Sequence, residues 1–542
     1  MAKSKEAMIK LSASIQRVYY PPDSTDDNEA MLALQIKQTV PSEWSVTKLV
    51  PLNKCNYAEL KRIVPAFPPL DKKSAYSFDV DLNAQVHAAI SGPTKRGLFL
   101  NQQGAFHTPN GNLCFLRGNE VIGECPDFIV AEEYQDVQLQ RRRASPNELL
   151  QALLEASPLV LLTICFVLLA SVRSLIYSVG IDLQAVLYVV GVTSIGKSYL
   201  VRRLCLPYTI HGQRIGIVQA ISTSAAAKDA CAFFGNAPFV VDDLCESTGA
   251  GTVRKRRELV ADLIRFGADH VPQIKKAGAE NESRLCEAGL IFTGEFALEA
   301  ASDINRCVFI PITERLHIPD MLDNAAVGDL IYLFSRWIIS HEAVFLDTLK
   351  SMETRAKDDM PNSRVCKSFT VLRCVCMALG LALAGEFADP DIPKKLLERF
   401  DLSRGISLEY QEKMLTEISR KVKKANIPYL ILGGLEGGSF KLAKETDDRN
   451  KAVERLNDSK SDGIIYKGQL LLRPAQLRYF LNHQDGYQNY SYQAIVKELM
   501  QIGALRIQSN GQHSDYTKQI SKDAPSTYAL RLKVLEDEAK LL

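Results

Sequence analysis

Short apolar runs recur through the middle of the chain, and residues with the three-to-four spacing of an amphipathic helix separate them. A short apolar run bounded by turn residues is typical of a buried strand. Strands separated by helices predict right-handed crossovers and a mostly parallel sheet. We therefore predict an α/β domain here. Its candidate strands are Val186–Val190, Ile215–Ala220, Pro238–Val241, Gly289–Thr293 and Val308–Pro311.

Two longer apolar stretches in the same region predict helices. Leu159–Ala170 holds twelve uncharged residues, whereas about 20 are needed to cross a bilayer, so we expect a buried helix and no membrane partner. Before it, Ser145–Glu148 offers an N-cap serine, a proline at the first helical position and the glutamate of a capping box. Arg364–Phe387 predicts a long apolar helix or helix pair, interpreted as a lid.

The flanking regions predict a smaller domain at each end. Residues 1–143 are predicted to form an α+β accessory domain, in which Gly97–Gly123 alternates apolar runs with turn residues, as in a small antiparallel sheet. Residues 144–425 would then be the core with its helical lid, and 426–462 a linker. Residues 463–542 suggest the helix, helix, strand, loop, strand order of a winged helix, with Asn510 and Gly511 in the loop.

A glycine-rich turn directly follows the first candidate strand. Residues 191–198, GVTSIGKS, satisfy the phosphate-binding pattern G-x-x-x-x-G-K-[ST] between a strand and a helix. Backbone N–H groups of such a loop, and of the helix that it opens, face phosphate groups. We expect Lys197 to reach the β- and γ-phosphates of ATP and Ser198 to bind Mg²⁺. The expected nucleotide contacts are Gly191, Val192, Thr193, Ser194, Ile195, Gly196, Lys197, Ser198 and Tyr199.

Two further candidate strands end in polar residues that suit the same site. Asp242 and Asp243 end one of them, where a metal-side carboxylate belongs beside a phosphate loop. We expect Asp242 to hold Mg²⁺ and Asp243 to polarise the attacking water as general base. Thr293 ends another strand and is expected to hydrogen-bond that water or the γ-phosphate, a role equally open to Glu295.

Arg306 stands directly before the last candidate strand. An arginine at the edge of a subunit can reach the γ-phosphate bound by a neighbouring subunit and act as an arginine finger. We therefore count Arg306 with Lys197, Asp243 and Thr293 as a candidate catalytic residue.

Together these motifs resemble AAA+ ATPases. The specific resemblance is to the MCM-like replicative helicase family of mobile genetic elements, described as an uncharacterised helicase/primase-associated domain. It extends from Gly97–Gly123 through GVTSIGKS, STSAAAKDACAFFGNAPFVVDDL and LIFTGE to the terminal winged helix. The resemblance implies a hexameric ring that translocates on DNA using ATP, with Arg306 acting on the neighbouring subunit. Asp243 stands where the family usually has Glu, a departure that bears on the rate of hydrolysis.

Charge is distributed unevenly, although the net charge of the whole chain is only +2. Residues 463–535 hold nine Lys or Arg against four Asp or Glu, and such a basic module suits contacts to DNA phosphates. The expected DNA contacts there are Lys497 and Arg506. In the core, Lys275 and Lys276 precede the LIFTGE strand, and loops at that place in a ring can line its channel.

Other residue types narrow the class of protein. The twelve cysteines form no Cys-x-x-Cys pair, and the eight histidines never stand at zinc-binding spacing. The polar first residues lack a secretory pattern, so a cytoplasmic protein is expected. The favoured function is an ATP-dependent DNA helicase or translocase with possible replication partner proteins. A non-translocating AAA+ switch that loads or regulates such a partner remains open, as does a metabolic P-loop kinase.

Overall fold

The computed structural model describes residues 9–540 apart from short gaps. The gaps are residues 23, 25, 41, 93–95, 126, 220–223, 245–249, 278–279, 296–297, 299, 360–363, 386–390, 426, 459, 484–491, 506–507, 510–513 and 516–520. The chain divides into two compact units, Met1–Gln411 and Glu412–Leu542.

The first unit opens with a five-stranded sheet of order β3-β2-β1-β4-β8. Leu32, Leu34 and Ile36 alternate along β2 toward an apolar core that Leu82 and Val86 of α2 complete. The elements are β1 (Lys10–Tyr20), β2 (Met31–Val40), β3 (Trp44–Pro51), α1 (Tyr57–Ile63), α2 (Lys72–Ser91), β4 (Arg96–Leu100), β5 (Gly104–His107), β6 (Leu113–Arg117), β7 (Glu120–Ile122), β8 (Phe128–Val130) and β9 (Val137–Leu139).

Strands β5, β6 and β7 form an antiparallel sheet that belongs to the next apolar core. Leu113, Phe115 and Ile122 join the cluster built by the central helices. The buried Arg117 donates hydrogen bonds to the Ser171 carbonyl oxygen (2.8 Å) and to Ser335 Oγ (3.3 Å). The two apolar cores therefore separate before β5, whereas the sequence placed the boundary at residue 143. Most of β4 lies within Gly97–Gly123, which was predicted to form a small antiparallel sheet. This strand instead pairs in parallel with β1 and β8 of the first sheet.

The predicted α/β domain with a parallel sheet is confirmed. Five parallel strands lie in the order β13-β14-β17-β10-β18. The elements are α3 (Pro146–Glu155), α4 (Pro158–Ser171), α5 (Arg173–Ser178), β10 (Val186–Val190), α6 (Lys197–Leu204), β11 (Tyr208–Ile210), β12 (Gln213–Arg214), β13 (Ile217–Gln219), α7 (Ser224–Phe234), β14 (Pro238–Leu244), α8 (Ala250–Ala268), β15 (Gln273–Ala277), β16 (Glu280–Arg284), β17 (Gly289–Gly294), α9 (Ala301–Ile304), β18 (Cys307–Pro311), α10 (Asn324–Ser340), α11 (Glu342–Asp359), α12 (Arg364–Ala384) and α13 (Asp391–Ala425).

Two apolar helices stabilise this domain from within. Helix α4 is apolar on all sides and buried from Leu159 to Ser171, as expected for a core helix. The capping box predicted before it forms between Ser145 and Glu148. Among the residues that the structure describes, α12 alone is long and apolar enough to cross a membrane, and 61% of its most apolar stretch is buried. It packs against α4, α10 and α11, so it is a core helix here.

The second unit has a four-stranded sheet of order β19-β20-β21-β24. Ile431, Leu477 and Leu499 join three of its helices in one apolar cluster. The elements are α14 (Ile427–Glu436), β19 (Leu442–Ala443), α15 (Arg449–Asn457), β20 (Gly463–Tyr466), β21 (Gln469–Leu472), α16 (Pro474–Asn482), α17 (Tyr492–Gln501), β22 (Gln508–Ser509), β23 (Ser514–Asp515), β24 (Tyr528–Arg531) and α18 (Leu532–Lys540).

The region 426–462, predicted as a linker, holds α14, β19 and α15 in this unit. Ile427 and Ile431 are fully buried in its apolar cluster, so the segment is part of the folded unit. The two helices and final strand pair of the predicted winged helix correspond to α16, α17 and a bridge between Leu505 and Leu530 of β24. Asn510 and Gly511 lie outside the described residues.

Candidate nucleotide site

The predicted phosphate loop, which we call the P-loop, joins β10 to α6 through two residues with positive φ. Ser194 has φ +62° and Gly196 has φ +112°, and α6 begins at Lys197. Gly191 lies so close to the next strand that an added Cβ would stand 2.5 Å from the Ile312 carbonyl oxygen. Only glycine fits there without displacing backbone, so the first glycine of the motif has a packing reason.

Lys197 is buried and contacts two carbonyl oxygens of the loop and one carboxylate outside it. Its Nζ donates to the carbonyl oxygens of Gly191 (2.8 Å) and Val192 (2.7 Å), and it lies 3.5 Å from Glu295 Oε1. The same glutamate oxygen accepts a hydrogen bond from Thr193 Oγ1 over 2.7 Å. Glu295 thus contacts two P-loop side chains from the end of the neighbouring strand β17.

Asp242 is the centre of a hydrogen-bonded group that we call the Asp242 cluster: Asp242, Ser198, Arg202 and Thr293. Oδ1 accepts from Ser198 Oγ (2.9 Å) and Thr293 Oγ1 (2.6 Å). Oδ2 accepts from Nη2 (2.9 Å) and Nε (3.2 Å) of Arg202. Burial raises the pKa of Asp242, but these hydrogen bonds and the Arg202 charge outweigh it and hold that pKa below its ordinary value. The carboxylate is therefore ionised at neutral pH.

Asp243 lies in a bulge where β14 leaves its register with β17, between Val241 and Leu244. Its φ is +67°, an uncommon backbone conformation for a residue other than glycine. The Asp243 backbone N–H donates to Thr293 Oγ1 over 2.9 Å, and its side chain is exposed. One hydroxyl thus fixes both acidic residues, since Thr293 Oγ1 also donates to Asp242. Strained backbone of this kind is concentrated at functional sites.

A cavity of about 290 Å³ lies at the carboxyl ends of β10, β14 and β17. Among the predicted site residues it is lined by Thr193, Ser194, Gly196, Lys197, Ser198, Tyr199, Asp243 and Thr293. Mg²⁺ bound with a nucleotide takes one or two carboxylates, a hydroxyl and phosphate oxygens. The Ser198 hydroxyl and the Asp242 and Asp243 carboxylates are oxygen donors of that type. Among the described residues there is no group of three His, Cys, Asp or Glu side chains that would hold a metal alone.

Arg306 lies at the amino ends of the parallel strands, whereas the cavity lies at their carboxyl ends. It precedes Cys307, which pairs with Val186 at the start of β10, whereas the P-loop follows the end of that strand. Its guanidinium donates to both carboxylate oxygens of Asp269 (2.7 and 3.1 Å) and to the Ser302 carbonyl oxygen (2.7 Å). Arg306 therefore does not contact the site of its own chain.

The predicted DNA contacts are described to different extents. Lys275 and Lys276 lie on β15, which pairs with β16 in an antiparallel hairpin directly before β17. Their side chains lie outside what the structure describes. Lys497 is exposed on α17 of the second unit, and Arg506 lies outside the described residues.

Sequence reasoning missed two residues that hold the site residues in place. Arg202 is four positions after Ser198, so both lie on one face of α6 and reach Asp242 together; this i, i+4 spacing was a readable signal. Asp269 binds Arg306 from the end of α8. No local sequence pattern indicates that pairing, because it depends on how α8 packs against α9 and the central sheet.

A comparison with solved structures finds a likeness over nearly the whole chain. A structure described as "SCCmec type IV Cch - active helicase" matches 99% of this chain and 95% of that one, with a TM-score of 0.51 and 15% sequence identity. No protein-family model matches the sequence. No curated protein matches it either. At this identity the likeness establishes a shared α/β fold that includes both units.

Proposed function

We propose that the protein is an ATP-dependent DNA helicase or translocase of a mobile genetic element, built on an AAA+ core. The observation that carries the proposal is the Asp242 cluster beside the P-loop. Beside this cluster, Lys197, Ser198 and the Asp243 carboxylate line one cavity. The Ser198 hydroxyl connects that cavity to the Asp242 carboxylate, to which it donates a hydrogen bond. The shared fold with a protein described as an active helicase supports the same class of activity.

Each side chain of the site has a role that follows from its position. Bound Mg²⁺–ATP would supply the phosphoanhydride bond whose hydrolysis releases free energy. Lys197 would neutralise phosphate charge, and Ser198 and Asp242 would hold the metal. The exposed Asp243 carboxylate accepts a proton from the attacking water, and Thr293 keeps Asp242 and Asp243 in register. Asp is one methylene shorter than the Glu usual in the family, so we expect slow hydrolysis.

The proposal includes a ring, most simply a hexamer, because Arg306 faces away from its own cavity. The AAA+ family resemblance gives such an arginine a place in the site of the adjacent subunit. In that arrangement the Asp269 ion pair sets the orientation of the guanidinium before it meets phosphate.

DNA contacts are proposed for two places. The β15–β16 hairpin carries Lys275 and Lys276 and is joined to the start of β17, the strand whose other end carries Thr293 and Glu295. A shift of β17 as a whole would therefore move the hairpin. The exposed Lys497 adds contacts from the winged-helix-like unit, and so does Arg506, which lies outside the described residues. The charge excess of residues 463–535 supports both proposed contacts. A cytoplasmic location and replication partner proteins remain predictions.

ATP hydrolysis with and without DNA tests the enzyme class. We expect DNA to stimulate hydrolysis by the wild-type protein, and Lys197→Ala to abolish it. Lys350→Ala removes an exposed lysine from α11 and serves as the matched control. Full turnover by Lys197→Ala would exclude the P-loop assignment. DNA-stimulated hydrolysis without strand separation would favour the alternative, a non-translocating AAA+ switch that loads or regulates a partner.

A further inference from the structure

We propose that the Glu295 side chain acts as a latch: it occupies the Lys197 ammonium and the Thr193 hydroxyl of the P-loop until the phosphate groups of an incoming nucleotide displace it. The inference rests on the proposed nucleotide binding and concerns the same cavity. It assigns Glu295 a positioning role that limits nucleotide affinity, separate from the hydrolytic role of Asp243.

Backbone hydrogen bonds hold the chain at Gly294 and Glu295, from which the Glu295 side chain extends. The Glu295 backbone N–H donates to the Leu244 carbonyl oxygen over 3.1 Å, and the Gly191 N–H donates to the Gly294 carbonyl oxygen over 3.3 Å. The end of β17 is thereby tied both to the strand that carries the acids and to the first glycine of the P-loop. From this point the Glu295 side chain reaches the P-loop and lines the cavity.

The contacts of Lys197 explain why phosphate and Glu295 compete. A lysine ammonium has three N–H donors. Lys197 has three oxygen partners in the loop region: the carbonyl oxygens of Gly191 and Val192 and the carboxylate of Glu295. Lys197 must therefore give up existing partners before it can bind a phosphate oxygen. Its side chain is only 9% exposed, so water replaces those partners poorly.

Charge makes Glu295 the partner that phosphate displaces. The Glu295 carboxylate is negative, 27% exposed, and within contact of the ammonium that a phosphate would bind. It also accepts a hydrogen bond from the Thr193 hydroxyl, so it binds two polar groups of the P-loop at once. A polyanion and a carboxylate that share one ammonium repel each other. Nucleotide entry is then linked to movement of the Glu295 side chain.

The test separates charge from hydrogen bonding. Glu295→Gln removes the negative charge and keeps the side-chain length, whereas Thr193→Val removes the hydroxyl and keeps the backbone N–H expected to face phosphate. Glu398→Gln, an exposed position on α13, is the matched control. Dissociation constants for ADP and for a non-hydrolysable ATP analogue, each with Mg²⁺, are measured by calorimetry for all variants. Steady-state hydrolysis then gives KM and kcat separately.

We expect Glu295→Gln and Thr193→Val each to bind both nucleotides at least about fivefold more tightly than the wild type, with a lower KM. The affinity of the double variant should increase by less than the product of the two single increases, because both changes remove contacts of the same Glu295 side chain. Glu398→Gln should bind like the wild type.

Unchanged or weaker binding by Glu295→Gln would overturn the latch, and a fall in kcat alone would make Glu295 a catalytic group instead. In each of these cases the wild-type protein still binds nucleotide, so the proposed function is not affected. If the wild-type protein binds neither nucleotide, the proposed function fails and the latch fails with it.

Discussion

Ser198 Oγ lies 2.9 Å from Asp242 Oδ1, although 44 residues separate the two in sequence. Ser198 stands in the first turn of α6 and Asp242 near the end of β14. Between β10 and β14 lies β17, whose Thr293 donates to the same carboxylate oxygen. The parallel arrangement of three neighbouring strands brings their carboxyl ends to one edge, which is how distant motifs become one site.

Thr293 is predicted to be essential because its hydroxyl bonds to both acidic residues. Thr293→Val keeps the shape but removes a donor to Asp242 and an acceptor for the Asp243 N–H. We expect ATP hydrolysis to fall by about tenfold or more and the free energy of unfolding by about 1–3 kcal/mol. Thr293→Ser retains the hydroxyl and should recover most of both. Wild-type turnover by the valine variant would exclude this role.

The lowered pKa of Asp242 predicts how stability depends on pH. Folded Asp242 keeps its charge at a pH where the unfolded chain already takes up a proton. Its contribution is therefore complete above about pH 4, the ordinary aspartate range, and is lost as pH falls through the lower folded pKa. Denaturant unfolding of wild type and Asp242→Asn from pH 7 to pH 3 should show a difference in unfolding free energy that narrows at acid pH. A constant difference would contradict it.

The ion pair between Arg306 and Asp269 allows a sharp test of the arginine finger. Arg306→Ala and Asp269→Asn both break the pair, but only the first removes the guanidinium. We expect hydrolysis to fall roughly a thousandfold in Arg306→Ala and to persist in Asp269→Asn. Mixing Arg306→Ala subunits with Lys197→Ala subunits should restore part of the activity, since some interfaces then hold both residues. Equal losses in the two variants, and no recovery on mixing, would make the pair purely structural.

Lys275 and Lys276 are predicted to contact DNA from the β15–β16 hairpin. Replacing both with alanine should weaken DNA binding. It should also reduce the magnitude of the negative slope of log K against log salt, where K is the DNA association constant, by roughly 1.5. Lys394 and Lys395, two adjacent exposed lysines on α13, provide a matched double-alanine control. Binding is followed by fluorescence anisotropy, with ATP hydrolysis measured in the absence of DNA alongside. Unchanged affinity, or an equal loss of DNA-free hydrolysis, would contradict a direct contact.

Strands β10, β17 and β18 of the central sheet were predictable because each is a short, mostly apolar run that is buried along its whole length, as a strand covered on both faces must be. The glycine-rich loop after β10 and the two acids near the end of β14 could be located for the same reason, since both stand where apolar runs end. The domain boundary was not predictable. Phe115 and Ile122 are apolar in either assignment, and only the packing of β6 and β7 decides which core covers them.

The contacts of Glu295 and Arg306 could not be predicted from the sequence either. About 100 residues separate Glu295 from Lys197 and Thr193, and an ion pair across such a distance leaves no local spacing to read. Asp243 shows a similar limit: its position in the sequence indicates a carboxylate at a strand end, but the bulge that turns it toward the cavity appears only in the fold.

Strand displacement from a forked DNA duplex tests the central claim most directly. The assay uses wild-type protein, Lys197→Ala and Lys350→Ala, each with Mg²⁺ and either ATP or its non-hydrolysable analogue, on forks with a single-stranded tail of each polarity. The account predicts displacement by the wild type and by Lys350→Ala with ATP alone, and none by Lys197→Ala. ATP hydrolysis by the wild type without displacement of any fork would contradict the helicase proposal.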